Sequence, residues 1–132
     1  MKIIKLKKGD KIVSTLEARL LEMDIATGFL WGLGAISDAE LMIYNLETKE
    51  YATKKLSGTF EVVSFSATIT EGMDGKKVMI HPHVILSKED FSCVGGHLKE
   101  ATVAATLEVG ILESKEKLGR YHDKNIGLNL IK

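Results

Sequence analysis

The most regular feature of the chain is an alternation of apolar and polar residues with a period of two. One apolar set occupies every second position within residues 61–70, namely Val63, Phe65, Ala67 and Ile69. A second lies within residues 76–86, namely Val78, Ile80, Pro82, Val84 and Leu86, and a third within residues 101–113, namely Val103, Ala105, Leu107, Val109 and Ile111. Because neighbouring side chains on a strand point to opposite faces, each segment is predicted to be a strand with one face in the core.

The N-terminal region follows a helical spacing instead. Its apolar residues recur every three or four positions, as Ile12, Leu16, Leu20 and Met23. This spacing predicts a helix that ends at about Asp24 or Ile25. Asp10 stands just before it and is expected to cap its first turn.

These elements predict an α+β fold, in which a mainly antiparallel sheet packs against one principal helix. Shorter apolar stretches add strands at residues 3–6 and 51–53, and residues 29–46 are predicted to form one long strand, bulged near residues 34–37. With 132 residues, of which 45% are hydrophobic, the chain is expected to form a single domain over residues 1–132.

Composition restricts the location and the partners. The apolar runs are too short to cross a bilayer, and the lysines among the first eight residues do not suit a signal segment, so a cytoplasmic location is expected. The single cysteine, Cys93, fits a reducing compartment and is expected to be a small buried residue. Eighteen basic residues balance eighteen acidic ones, and only Arg19 and Arg120 are arginines, which disfavours DNA binding without excluding a local basic patch.

Three of the four histidines lie within seventeen residues of one another. Strand alternation places His81 and His83 on one face, about 6.5 to 7 Å apart, and Gly95 and Gly96 would allow a close backbone approach that brings in His97. Three imidazoles can hold a zinc-like divalent ion and leave one coordination position for water or substrate. Histidines on a half-exposed strand are also often no more than solvated polar residues.

Several other residues bear on chemistry or assembly. Glu108, on the polar side of the last predicted strand, is a candidate for proton transfer near such a metal. His122 is expected on the surface and not among the ligands. Trp31 is expected in the core or at a subunit interface, and residues 32–34 are interpreted as a backbone bulge because the rest of a phosphate-binding motif is missing. Pro82 lacks a backbone donor and favours a position where the strand is unpaired on one side.

Separated segments of the chain together resemble a known family. They are Gly28–Ser37, Tyr44–Tyr51, the HPHV segment at 81–84, Gly95–Leu98 and Thr106–Val109. In this order they resemble the plants and prokaryotes conserved (PPC) domain, which also occurs in plant nuclear proteins that carry an AT-hook. The resemblance covers nearly the whole chain.

The resemblance implies a stand-alone homotrimer, in which the family's HxH and GGH histidines correspond to His81, His83 and His97 and hold a metal in some members. It assigns no reaction. The trimer could instead serve as a scaffold or regulatory module for partner proteins, or bind a small-molecule ligand. In the plant proteins the DNA contact belongs to the separate AT-hook, an Arg-Gly-Arg-Pro element, and the only proline of this chain is Pro82.

Overall fold

The computed structural model describes all 132 residues and consists of seven strands and one helix. The elements are β1 (Lys2–Lys7), α1 (Ile12–Glu22), β2 (Gly28–Asn45), β3 (Glu50–Glu71), β4 (Val78–Ser87), β5 (Cys93–Glu113), β6 (Arg120–Asp123) and β7 (Leu128–Ile131). All strand pairs are antiparallel, which confirms the predicted α+β layout. The structure contains no helix with the length and apolar character needed to cross a bilayer.

The main sheet closes on itself because β5 is paired along both edges. One edge pairs with β2. The other edge pairs with β4 over residues 93–97 and with β1 over residues 106–111. Strands β2, β3, β4 and β5 therefore form a closed ring, to which β1 is added. The enclosed face carries the apolar core, and α1 covers it through the buried side chains of Ile12, Leu16 and Leu20.

The start of α1 is capped from a distant strand. The carboxylate of Glu100, on β5, accepts hydrogen bonds from the backbone N–H groups of Val13 (2.8 Å) and Ser14 (3.2 Å). Asp10 does not cap the helix, because its carboxylate accepts from the N–H of Lys7 at 3.0 Å in the preceding turn. The predicted cap was therefore wrong, and the free N–H groups of the first turn are satisfied by a tertiary contact.

Several element boundaries differ from the predicted ones. The helix ends at Glu22, before the predicted end, and Asp24 has a left-handed φ of 57°. Strand β3 is continuous over 22 residues, although only its two ends were predicted. The predicted bulge in β2 is confirmed, since its register with β3 shifts between Gly32 and Gly34 and again between Ser37 and Ala39.

Burial differs from the prediction at Val63, Ala105 and Cys93, and one of the two alternatives is excluded at Trp31. Val63 is 58% exposed because a bulge between Val62 and Ser64 reverses the alternation in β3. Ala105 is also exposed, and so is Cys93, which was expected to be buried. Trp31 is 41% exposed and lies on the outer face, so it is not a core residue.

Candidate metal centre

The fold brings three histidines together on the outer face of the sheet. His81 and His83 lie on β4, where the buried residues alternate with them, and His97 lies directly opposite His83 on β5. Their potential ligand nitrogens all lie within 4.8 Å of one another. We call these residues the three-histidine cluster.

The geometry of the cluster suits a small divalent ion. The Nε2 atoms of His81 and His83 are 3.1 Å apart, and the ring centroids of the three pairs are separated by 4.9, 5.0 and 5.6 Å. Two nitrogens bound to one tetrahedral zinc at its usual bond length are about 3.3 Å apart. Small side-chain rotations would therefore let the three rings share an ion.

Two glycines permit the close strand spacing that places His97. A Cβ atom built on Gly95 would lie 2.7 Å from the carbonyl oxygen of Val84 on β4. One built on Gly96 would lie 3.0 Å from the carbonyl oxygen of Met42 on β2. The sequence-based reason for this glycine pair is thus confirmed, because side chains here would push β5 away from both neighbours.

Pro82 lies between the two histidines of β4 and points the opposite way, into the core. It pairs with Ala67 on β3, whereas the pairing of β4 with β5 begins only at His83. Proline therefore occupies a position with one unpaired side, as its missing N–H group requires.

The protein lowers the pKa of two rings in the cluster. Partial burial, with the neighbouring His81 and His83, lowers the pKa of His97 to about 4. Partial burial also lowers the pKa of His81 from 6.5, with further contributions from the charges of His83 and Arg120. Only a neutral imidazole offers a lone pair to a metal, so these rings are in the ligand form at neutral pH.

A cavity of about 470 Å³ adjoins the cluster beneath the hairpin formed by β6 and β7. Its wall includes His81 and His97, together with Arg120 and His122 from β6. His122 is exposed and stands outside the cluster, as predicted, and its Nδ1 atom contacts the side-chain oxygen of Asn129 at 2.9 Å. No motif in the sequence connects His122 with this cavity.

Glu108 lies in another part of the sheet. It is opposite Lys5 on β1 and Leu33 on β2, and it lines a second cavity of about 440 Å³ beside Trp31 and Val63. No residue of the three-histidine cluster lines that second cavity. Within one chain, Glu108 is therefore not positioned to transfer protons at the cluster, which corrects the expectation that it might.

Arg120, which lines the cavity beside the cluster, was not among the residues predicted to form a site. Its Nε atom donates to the Thr70 hydroxyl at 2.8 Å, and its two terminal nitrogens donate to the carbonyl of Asn129 and the hydroxyl of Thr68 at 2.9 and 3.3 Å. Partial burial lowers the pKa of this guanidinium. The available signal was the rarity of arginine, since only Arg19 and Arg120 occur in the chain.

Comparison with known proteins gives one family and several similar structures. The model of the Plants and Prokaryotes Conserved domain, abbreviated PCC or PPC, matches residues 1–115. Among curated proteins, no match to the chain was found.

Several similar solved structures exceed 25% identity. A metal-containing protein from Archaeoglobus fulgidus is 31% identical, with a TM-score of 0.89 over 99% of this chain and 91% of that chain. A candidate DNA-binding protein from Bacteroides thetaiotaomicron is 28% identical, with a TM-score of 0.92 over 98% of this chain and 90% of that chain. A PPC protein from Pyrococcus horikoshii, 24% identical with a TM-score of 0.89 over 99% and 90% of the two chains, shares the fold.

Proposed function

Because the chain belongs to the Plants and Prokaryotes Conserved domain family, we propose that it is a metal-binding protein of this family. Its ligands are His81, His83 and His97, and its ion is a divalent metal that resembles zinc in its preference for imidazole. The convergence of the three ring nitrogens within 4.8 Å carries the proposal. The similarity to a metal-containing archaeal protein supports it.

Three protein ligands leave a coordination position for an exogenous molecule. An ion held in this way can polarise a bound oxygen or lower the pKa of a bound water. The chain itself supplies the neutral imidazoles and the wall of the adjoining cavity. A small-molecule ligand is the partner that this arrangement suits.

Metal content tests the proposal directly. Protein purified without a histidine tag is expected to contain about one divalent metal per chain by elemental analysis. The triple variant His81→Ala, His83→Ala, His97→Ala is expected to contain almost none. His122→Ala is the matched control, because His122 stands outside the cluster. Equal metal content in the wild type and the triple variant would rule out the site.

The assembly proposed for this chain is a homotrimer. Large apolar side chains are exposed around the second cavity, and we call Met1, Ile3, Trp31, Leu33 and Val63 the apolar outer patch. A contiguous apolar surface of this kind is typical of a protein interface. Light scattering at micromolar concentration is expected to give three times the chain mass, and a monomer mass would exclude the trimer.

A scaffold for partner proteins is the alternative role of such a trimer. The scaffold role requires assembly but no metal, whereas the metal-dependent role requires the ion. A variant that assembles without metal therefore distinguishes the two roles. A triple-histidine variant that stays trimeric and retains full cellular function would favour the scaffold. Loss of function together with the metal would favour the metal-dependent role.

Direct DNA binding is a third candidate, because the similar proteins include a candidate DNA-binding protein. The chain has a net charge of zero and only two arginines, which gives little attraction for a phosphate backbone. We therefore expect little or no salt-dependent binding to duplex DNA at physiological ionic strength. Clear binding that weakens steeply as salt increases would reverse this expectation.

A further inference from the structure

The hairpin of β6 and β7 forms one wall of the cavity beside the cluster. One backbone hydrogen bond ties the start of the hairpin to the main sheet, from the N–H of Glu71 to the carbonyl of Leu118 (2.9 Å), and another joins its two ends, from the N–H of Lys132 to the carbonyl of Gly119 (3.0 Å). The hydroxyl of Tyr44 donates to the carbonyl of Ile126 at 2.6 Å and fixes the turn. The hairpin is therefore a built wall, and it lies beyond the residues that the family model matches.

Arg120 places a positive charge in this wall without a carboxylate partner. All three of its hydrogen-bond acceptors are uncharged oxygens, and none of the three salt bridges in the structure involves it. A guanidinium has five N–H donors, so two remain for a ligand. Its orientation is set by the hydroxyls of Thr68 and Thr70 and the carbonyl of Asn129.

The lining of the cavity favours an anion and restricts its size. No aspartate or glutamate lines the cavity, whereas the positively charged guanidinium of Arg120 does. Its volume of about 470 Å³ falls within the usual range for small-molecule sites. No lysine lines it either, so it lacks the extended row of cations that a nucleic-acid backbone requires.

We propose that this cavity binds a small organic anion whose carboxylate or phosphate group lies on Arg120 while another of its oxygen atoms reaches the metal. The inference rests on the proposed metal site for its second contact. Arginine is suited to the first contact, because two parallel N–H groups can bind both oxygens of an oxyanion. Arg120 thus selects the class of ligand, and the ion at the cluster supplies the second contact.

The test measures anion binding and metal content on the same samples. Acetate, methyl phosphate and neutral acetamide are titrated into metal-free and zinc-loaded protein, and NMR follows the Nε–H group of Arg120. The wild type is expected to bind acetate or methyl phosphate but not acetamide. Whichever of the two anions binds more tightly shows whether the site takes a carboxylate or a phosphate. Arg120→Gln is expected to weaken binding about tenfold to a hundredfold, followed through the amides of residues 120–131, with unchanged metal content.

Two further variants keep the result interpretable. Arg120→Lys retains the charge but not the paired donors, so an intermediate affinity is expected. Arg19→Gln is the matched control, because Arg19 lies on α1 and its only ion pair is with Glu22 at 3.8 Å. Equal anion binding by the wild type and Arg120→Gln, or no binding by the wild type in either state, would overturn the proposal. If the wild type contains no metal but still binds the anion through Arg120, only the proposed function is overturned, because the titration of metal-free protein reports on Arg120.

Discussion

Two regions of the same outer surface differ in the side chains that they present. In the apolar outer patch, Ile3, Trp31 and Leu33 are exposed by 72%, 41% and 57%. In the second region the outward residues of β4 and β5 include the three histidines. The regions adjoin, because Trp31 is opposite Ser66 on β3, which in turn is opposite His83 on β4. Two strand spacings, or about 10 Å, therefore separate the backbone of Trp31 from that of His83.

One closed sheet thus presents two chemically different outer surfaces over a shared core. The inward residues of both regions belong to one continuous apolar core. The two regions differ only in the alternate residues that point outward. A substitution of one of these residues therefore leaves the core in place. Assembly should therefore depend on the apolar outer patch, and metal binding on the three-histidine cluster.

The largest effect is expected from Trp31→Glu. A carboxylate in a subunit interface would have to be buried without a partner, at a cost of several kcal/mol. The variant is expected to run as a monomer in light scattering while it retains about one metal per chain. Phe91→Glu is the control, because Phe91 is 88% exposed and lies outside the patch.

The reverse change is His97→Ala. It is expected to abolish the proposed metal binding and leave the proposed trimer intact, which the same two measurements check. If either variant lost both the metal and the assembly, the two regions would form one functional unit and the comparison would fail.

A smaller effect is expected from Gly95→Ala. The new Cβ would lie 2.7 Å from the Val84 carbonyl and would move β5 away from β4. We expect metal affinity to fall at least tenfold in a chelator competition, and stability to fall by about 1–3 kcal/mol. Gly119→Ala should change neither quantity, since its new Cβ would meet nothing closer than 3.9 Å. Unchanged affinity in Gly95→Ala would show that the strand spacing is not needed for the site.

The smallest effect concerns the turn of the hairpin. The carboxylate of Asp123 accepts hydrogen bonds from the N–H groups of Asn125 (2.9 Å) and Ile126 (3.0 Å). These bonds lower the pKa of Asp123 from 3.8, and the bond from Ile126 is the larger cause. Because the folded pKa is below the unfolded value, this stabilisation is present above pH 3.8 and is lost as the pH falls through the folded pKa.

An NMR titration checks this sign. The Asp123 carboxyl should titrate below pH 3.8, and the amide shifts of Asn125 and Ile126 should move at the same midpoint. Asp123→Asn keeps an acceptor but should abolish that transition. An Asp123 midpoint above 3.8 would contradict the assigned hydrogen bonds.

The fold was predictable wherever the alternation was uninterrupted. In β4 the inward set from Val78 to Leu86 was correct, because β4 itself contains no bulge. The register shift in its pairing with β3 lies on β3, between Val62 and Ser64. The same rule failed at Val63, because the bulge there breaks the alternation: Val62 is buried before it and Phe65 after it. The cap of α1 could not be predicted because Glu100 is remote in sequence and reaches the helix only in the folded chain.

The histidine cluster was predictable in part. Strand periodicity placed His81 and His83 on one face, and the glycines before His97 indicated a close strand approach. The direct pairing of His83 with His97 depends on closure of the sheet, which no local pattern specifies. Arg120 was missed for the same reason, because its neighbours Thr68 and Thr70 are fifty or more residues earlier in the chain.

The most direct test of the account is anomalous X-ray diffraction from crystals of the untagged, untreated protein. We expect one strong metal peak per chain, about 2.0 to 2.1 Å from a nitrogen of each of His81, His83 and His97. The absorption edge at which the peak appears identifies the element. Well-ordered histidines with no peak between them, or a peak bound elsewhere in the chain, would contradict the proposed metal centre.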